Sequence, residues 1–173
     1  MSNNGISRRL VLKLTVGLAA AAAVGARPGK AAPAISEFQL TAGNSARIPL
    51  IGRPYPETAV WSYDQAVPGP MIRVRQGGRL RVTVVNKLDE ETTVHWHGLR
   101  VPNAMDGVPH LTQKPIPPGG RFVYEFDVPD AGTYWYHPHQ RSFEQVARGL
   151  YGPLIVEERD PPAVDWELIW VLD

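Results

Sequence analysis

The sequence predicts an all-β sandwich or barrel carrying one short helix. Three observations lead there. Glycine and proline together number 33 of 173 residues, and no long stretch repeats with helical period, a turn-rich composition that favours strands over a helical bundle. Apolar and polar residues alternate with period two in segment after segment, the pattern of half-buried strands. Turn signals separate those segments at spacings typical of a sandwich or barrel of antiparallel strands. Hydrophobic residues make up 43% of the chain, enough for one sizeable core, and the length fits one domain with an appended leader.

The first 34 residues are expected to be that leader. Arg8-Arg9 precedes an apolar run over residues 10–24, and small residues follow to Ala34. This is the layout of an export signal, and the paired arginines point to the twin-arginine route. The run of 15 residues falls short of the roughly 20 needed to span a bilayer. Ala26 and Ala34 are both candidate last residues of the signal. The mature chain is thus expected to be periplasmic or secreted, with no membrane attachment after signal removal.

Strands are expected over residues 37–40 and 59–63. In residues 71–75, Ile72 and Val74 share a face, and Leu80, Val82 and Val84 alternate with Arg81 and Thr83. Residues 93–97 follow. Phe122, Tyr124, Phe126 and Val128 alternate with Val123, Glu125 and Asp127, and residues 133–137 and 154–157 complete the series. The separating turns are Pro68-Gly69-Pro70, Gly77-Gly78, Pro117-Pro118-Gly119-Gly120 and Asp130-Ala131-Gly132. A helix is expected near residues 143–148, with Ser142 capping its start, Gln145 three residues on, and Gly149 ending it. Residues 167–172 read as a last strand at whose end the chain stops, the pattern expected of a protein cut short or one that needs a partner chain.

Charge and cysteine content narrow the function. Five of the 18 basic residues (Arg8, Arg9, Lys13, Arg27, Lys30) and none of the 17 acidic ones lie in the leader, so the remainder has 13 basic residues against 17 acidic, a net charge of −4. Nothing there suggests nucleic acid as a partner. There is no cysteine, which excludes disulfides, zinc ribbons, thiol catalysis and iron–sulfur clusters. It also excludes a blue-copper centre within these residues, since that centre needs a thiolate.

Four of the five histidines form two His-X-His units, His95-Trp96-His97 and His137-Pro138-His139. On an extended segment, residues two apart face the same side with Cα atoms about 6.5 Å apart. That separation is awkward for two ligands on one ion but suits two neighbouring ions, each taking one imidazole from each pair. Neutral imidazole suits copper, zinc, nickel and iron, and copper(II) is bound tightest in the divalent series. A zinc site usually gathers three or four ligands on one ion, often with a carboxylate, and fits paired His-X-His units less well. On the residues alone Asp106, in Asp106-Gly107, reads as a turn residue. His110 reads as a loop residue and Met105 as packing.

In this context the chain resembles the first cupredoxin-like domain of the multicopper oxidases, the family of laccases, ascorbate oxidase and bacterial copper-tolerance oxidases. The matching text runs from Val67-Pro68-Gly69-Pro70 and Ile72-Arg73-Val74 through Thr93-Val94-His95-Trp96-His97-Gly98 and Met105-Asp106-Gly107-Val108-Pro109. It continues with Thr112-Gln113, Pro115-Ile116 and Pro118-Gly119. It ends with Gly132-Thr133-Tyr134-Trp135-Tyr136-His137-Pro138-His139 and Gly149-Leu150-Tyr151-Gly152-Pro153-Leu154-Ile155-Val156. The resemblance covers about residues 58 to 173.

The resemblance implies a cupredoxin-like Greek-key β-sandwich or barrel over residues 35–173, and half of a trinuclear copper cluster that reduces dioxygen to water while a phenol-like or metal-ion reductant loses one electron at a time. His95 resembles the type 2 copper ligand. His97, His137 and His139 resemble type 3 ligands, with His97 and His137 on one ion and His139 on the other. Asp106 resembles an acid behind the ligands that delivers protons. The type 1 copper and the remaining cluster ligands belong, in the family, to later cupredoxin domains, so this chain alone is expected to be inactive without them or a partner chain. The alternative is an exported copper-sequestering module without turnover. A structural relative that has lost its ligands fits poorly, since all four histidines are present. Phenols, aromatic amines, cuprous ion and manganese all stay open as reductants.

Overall fold

Alternation at Leu80, Val82 and Val84 becomes a strand with those three side chains fully buried and their neighbours half-exposed. The same rule builds most of the molecule in the computed structural model, which describes residues 35–172. The export signal expected over residues 1–34 lies outside the described residues. The strands are β1 (Ile35–Ile48), β2 (Thr58–Tyr63), β3 (Ile72–Arg75), β4 (Arg79–Lys87), β5 (His95–His97), β6 (Arg121–Asp127), β7 (Gly132–His137) and β8 (Gly152–Glu157). A 3-10 turn, Asn103–Met105, and a short helix, α1 (Ser142–Gln145), lie between them.

Two four-stranded sheets form, in the orders β2-β1-β4-β6 and β3-β8-β7-β5. Their inner faces supply one core, in which Leu40, Leu80, Val82, Tyr124 and Phe126 from the first sheet meet Ile72, Trp96, Tyr136, Leu154 and Val156 from the second. Each such side chain contributes roughly 1.5–3 kcal/mol by leaving water. The architecture is the expected all-β sandwich with one short helix. The pairing is not purely antiparallel, however: β1 runs parallel to β4, and β3 parallel to β8. Alternation reports which face is buried, not strand direction, so this feature was invisible in the sequence.

The register of β1, β4 and β6 is pinned on the outer face by charge. Glu125 accepts from Arg79 Nε at 2.7 Å and from Arg81 Nε at 2.7 Å, and Arg81 also reaches Glu37 at 2.5 Å. The two guanidiniums hold the Glu125 carboxyl below the usual carboxylate range. Exposed pairs of this kind contribute little energy singly; opposite charges facing one another mainly specify which residues lie side by side.

Two local expectations need correction. Ser142 does not cap α1: the residue at the cap is Arg141, in the left-handed region at φ 44°, with no side-chain capping bond. Residues 167–172 form no strand. Their period-two pattern supplies an apolar face, with Trp166, Leu168, Trp170 and Leu172 strongly exposed, but no ladder forms along them among the described residues. This segment is tied down by Arg73, which donates to Glu167 at 2.8 Å. It also lies along β7 and β8, where Ile169 and Trp170 help line a cavity of about 440 Å³.

Candidate metal centre

The second sheet carries both histidine pairs. β5 is its edge strand and pairs antiparallel with β7, with His95 opposite His137, Trp96 opposite Tyr136, and His97 opposite Trp135. Between the two histidines of β5, Trp96 points the other way and is fully buried against Tyr124 and Phe126, with ring centroids 5.3 Å away in each case. Tyr136 does the same in β7. The buried aromatics thus fix which side of each strand the imidazoles occupy.

All four rings meet on that side. Centroids are 5.4 Å apart for His95 and His137, 5.5 Å for His97 and His137, and 4.7 Å for His95 and His139. Ligand nitrogens of His95, His97 and His137 all lie within 4.8 Å of one another. His139 stands beside that trio, two residues past the end of β7. Its position is set by its backbone N–H, which donates to Thr93 Oγ1 at 3.2 Å. Trp135 stacks on His137 at 4.0 Å.

The hydrogen bonds fix which nitrogen of two rings is free. His95 Nδ1 lies 2.7 Å from the Asp106 carbonyl oxygen, and His137 Nδ1 lies 2.9 Å from the Pro138 carbonyl oxygen. A carbonyl only accepts, so each Nδ1 carries the proton and each Nε2 keeps a lone pair. His97 Nδ1 sits 3.2 Å from His137 Nε2. Two nitrogens each about 2 Å from one ion sit at such a spacing when they subtend roughly 100°. The donor set therefore fits a metal, and an all-imidazole set suits copper. Burial pushes the His137 imidazole down to about 4, against a partial rise from the Pro138 carbonyl, and the neighbouring His95, His139 and His97 lower it further. Burial, and then His95, also lowers His139. Both are neutral at pH 7, the protonation state a ligand needs.

Asp106 lies behind His95. Besides its carbonyl, its Oδ1 is 3.3 Å from His95 Nδ1, and its side chain is one-third exposed. This approach depends on Gly107, at φ 74°: a Cβ there meets the Val94 carbonyl oxygen at 1.9 Å. Sequence reasoning took Asp106-Gly107 as a turn and missed that the glycine lets the loop press against the strand carrying His95. It also missed Thr93 and Gln145; a short-range pattern carries no signal for contacts made 46 and 53 residues away. His110 is exposed in a left-handed turn with its N–H on the Gln113 carbonyl, as expected of a loop residue. Met105 packs against the core, also as expected.

On one flank the wall is open. His97 and His139 are exposed, whereas His137 is buried.

The sequence profile of the family described as multicopper oxidase matches residues 48–161. The chain is 41% identical over 168 residues to copper resistance protein A of Pseudomonas syringae pv. tomato, covering 90% of this chain and 26% of that protein. It is 44% identical over 129 residues to a multicopper oxidase of Mycobacterium tuberculosis, covering 74% of this chain and 24% of that one. Its fold superposes on the crystal structure of a multi-copper oxidase from Pseudomonas thermotolerans with a TM-score of 0.69 at 48% identity, covering 75% of this chain and 31% of the other. The chain spans about a quarter of the length of the curated relatives it matches.

Proposed function

The chain belongs to the multicopper oxidase family with a cupredoxin-like fold, and on that footing we propose that residues 35–173 are the first domain of an exported, laccase-like oxidase and supply half of its trinuclear copper cluster. The observation that carries this is the convergence of His97 Nδ1 and His137 Nε2 at 3.2 Å beside His95 and His139. In this reading His97 and His137 hold one type 3 copper, His139 serves the other, and His95 serves the type 2 copper through Nε2. Bound copper supplies one-electron redox chemistry, by which four electrons taken singly from a reductant, with four protons, convert dioxygen to two waters.

The protein's own residues orient and protonate. The Asp106 and Pro138 carbonyls lock the His95 and His137 tautomers, the arrangement that raises ligand basicity and fixes ring direction. The Asp106 carboxylate reaches both the His95 ring and solvent, so it can take a proton from water and hold it beside the site. Exposed His97 and His139 leave room for further imidazoles from later cupredoxin domains or a partner chain. A thiolate-bound copper for electron entry must likewise come from outside these residues, which hold no cysteine. Residues 1–34 act as the twin-arginine export signal and deliver the domain to the periplasm or beyond it. Among the described residues no helix is long and apolar enough to cross a membrane.

A second reading, copper binding without turnover, is favoured by that lack of cysteine. Both readings require copper on the histidines. Copper(II) titration of the chain is expected to lose at least one equivalent in His95→Ala and in His137→Ala; unchanged stoichiometry and affinity in both variants would overturn the assignment. The two readings then part on dioxygen uptake with a phenolic reductant by the full-length protein, expected in the first reading and lacking in the second.

A further inference from the structure

Gln145 is the one buried residue of α1 and is fully shielded from solvent. Both polar atoms of its amide are bonded. Nε2 donates to Glu90 Oε1 at 2.7 Å and to the Glu91 carbonyl at 2.9 Å, while Oε1 accepts from the Thr92 hydroxyl at 2.7 Å. The Glu90 carboxylate and Glu91 carbonyl only accept, so the amide nitrogen must face them and the amide has one orientation. The three residues it grips are those that lead into Thr93, and Thr93 Oγ1 is the acceptor for the His139 backbone N–H. His139 has no ladder bond to place it, since β7 ends at His137.

The return path is equally constrained. Arg141, two residues past His139, takes a left-handed conformation at φ 44°, and its guanidinium donates to Glu90 Oε2 at 2.5 Å and to Glu144. Residues 139–145 therefore close as a clamp over residues 90–93. Both ends of the clamp lie near a histidine: Thr93 is two residues before His95, and the His139 ring stands 4.7 Å from that of His95.

We propose that Gln145 is a positioning residue for the candidate copper site, setting the place of His139 relative to His95 through Thr92 and Thr93. It touches neither histidine; it acts by fixing residues 90–92, which lead into the Thr93 hydroxyl that accepts from the His139 backbone N–H, as groups behind the ligands do in metal sites. The inference rests on the reading of His139 as a copper ligand.

The test is copper(II) titration of the 173-residue chain against a competing chelator. Comparing the unsubstituted chain with His139→Ala defines the equivalent that His139 holds. Gln145→Leu is expected to weaken that equivalent about 10–100-fold and to leave the remaining copper as it was. Gln145→Leu with His139→Ala is then expected to match His139→Ala alone. Thr92→Val, which removes a single hydroxyl, keeps the test open should Gln145→Leu fail to fold; it is expected to weaken the same equivalent, and Thr92→Ser to restore it. A purely structural role lowers the melting temperature and weakens all copper alike, in the His139→Ala background too. That result, or unchanged binding in Gln145→Leu and Thr92→Val, overturns the proposal. If His139→Ala itself loses no copper, the ligand reading of His139 is what falls, and the inference with it.

Discussion

Gly107 lets the loop that carries Asp106 press against the strand that carries His95. With the Val94 carbonyl 1.9 Å from where a Cβ would sit and a φ of 74°, Gly107→Ala must push the loop away from β5, and His95 then loses the carbonyl that orients its ring. We expect a loss of about 2–3 kcal/mol in urea unfolding together with weaker copper(II) binding; a stable variant with full affinity would show that the loop does not position His95. At this scale the sequence was informative where chemistry is local. Two histidines two apart on an extended segment must face one side, so the four imidazoles were legible before any fold was known. The residues behind them were not. Thr93, Gly107 and Gln145 matter through partners far away in the chain, and their own neighbourhoods mark at most a turn or a helix start, not those contacts.

The helix shows how elements can be read correctly for partly wrong reasons. Its end was read three residues late: α1 closes at Gln145 with Val146 as its cap, and Gly149 at φ 117° ends the turns that follow, donating to the Val146 carbonyl at 2.9 Å while Leu150 donates to the Gln145 carbonyl at 3.1 Å. Its start was misread, because Ser142 followed by Gln145 resembles a capping box, yet Gln145 is drawn into the core by Thr92 and Glu90. Two substitutions separate these cases. Ser142→Ala is expected to change stability by less than about 0.5 kcal/mol, where a working cap costs about 1. Gly149→Ala places a Cβ 2.6 Å from the Trp61 carbonyl oxygen and is expected to cost about 2 kcal/mol or more; thermal melts of the pair decide it. The strands follow the same logic. β4 and β6 were visible through alternation alone, whereas the alternating residues 167–172 gave a false strand, because alternation predicts a face to bury and not a neighbour to bond.

For the whole molecule, the metal-free site is a source of acid sensitivity. His137 is held down to about 4 in the folded chain and returns to about 6.5 on unfolding. Between those values the unfolded chain binds a proton that the folded chain refuses, so stability rises with pH across the window and is lost as pH falls from about 6.5 towards 4. Burial lowers His139 in the same direction, and it adds to the effect. Glu125, whose carboxyl lies below its usual range, contributes stability that is lost only at lower pH. The melting temperature of the copper-free chain is therefore expected to decline already between pH 6.5 and 5, and less steeply in His137→Gln. A flat profile there would contradict the neutral, buried state of His137.

The open flank of the histidine wall has a consequence that reaches beyond the residues lining it. His97 on the edge strand and His139 just past the end of β7 are both exposed, so a protein surface that closes that flank with ligands of its own would share the ions with this one. Shared ions make assembly and metallation reciprocal: whatever factor the covering surface adds to copper affinity, copper returns to the grip between the two surfaces. A few nitrogen atoms on a three-residue strand can in this way act as a fastening, and stripping the metal would loosen the joint as surely as prising the joint apart would release the metal.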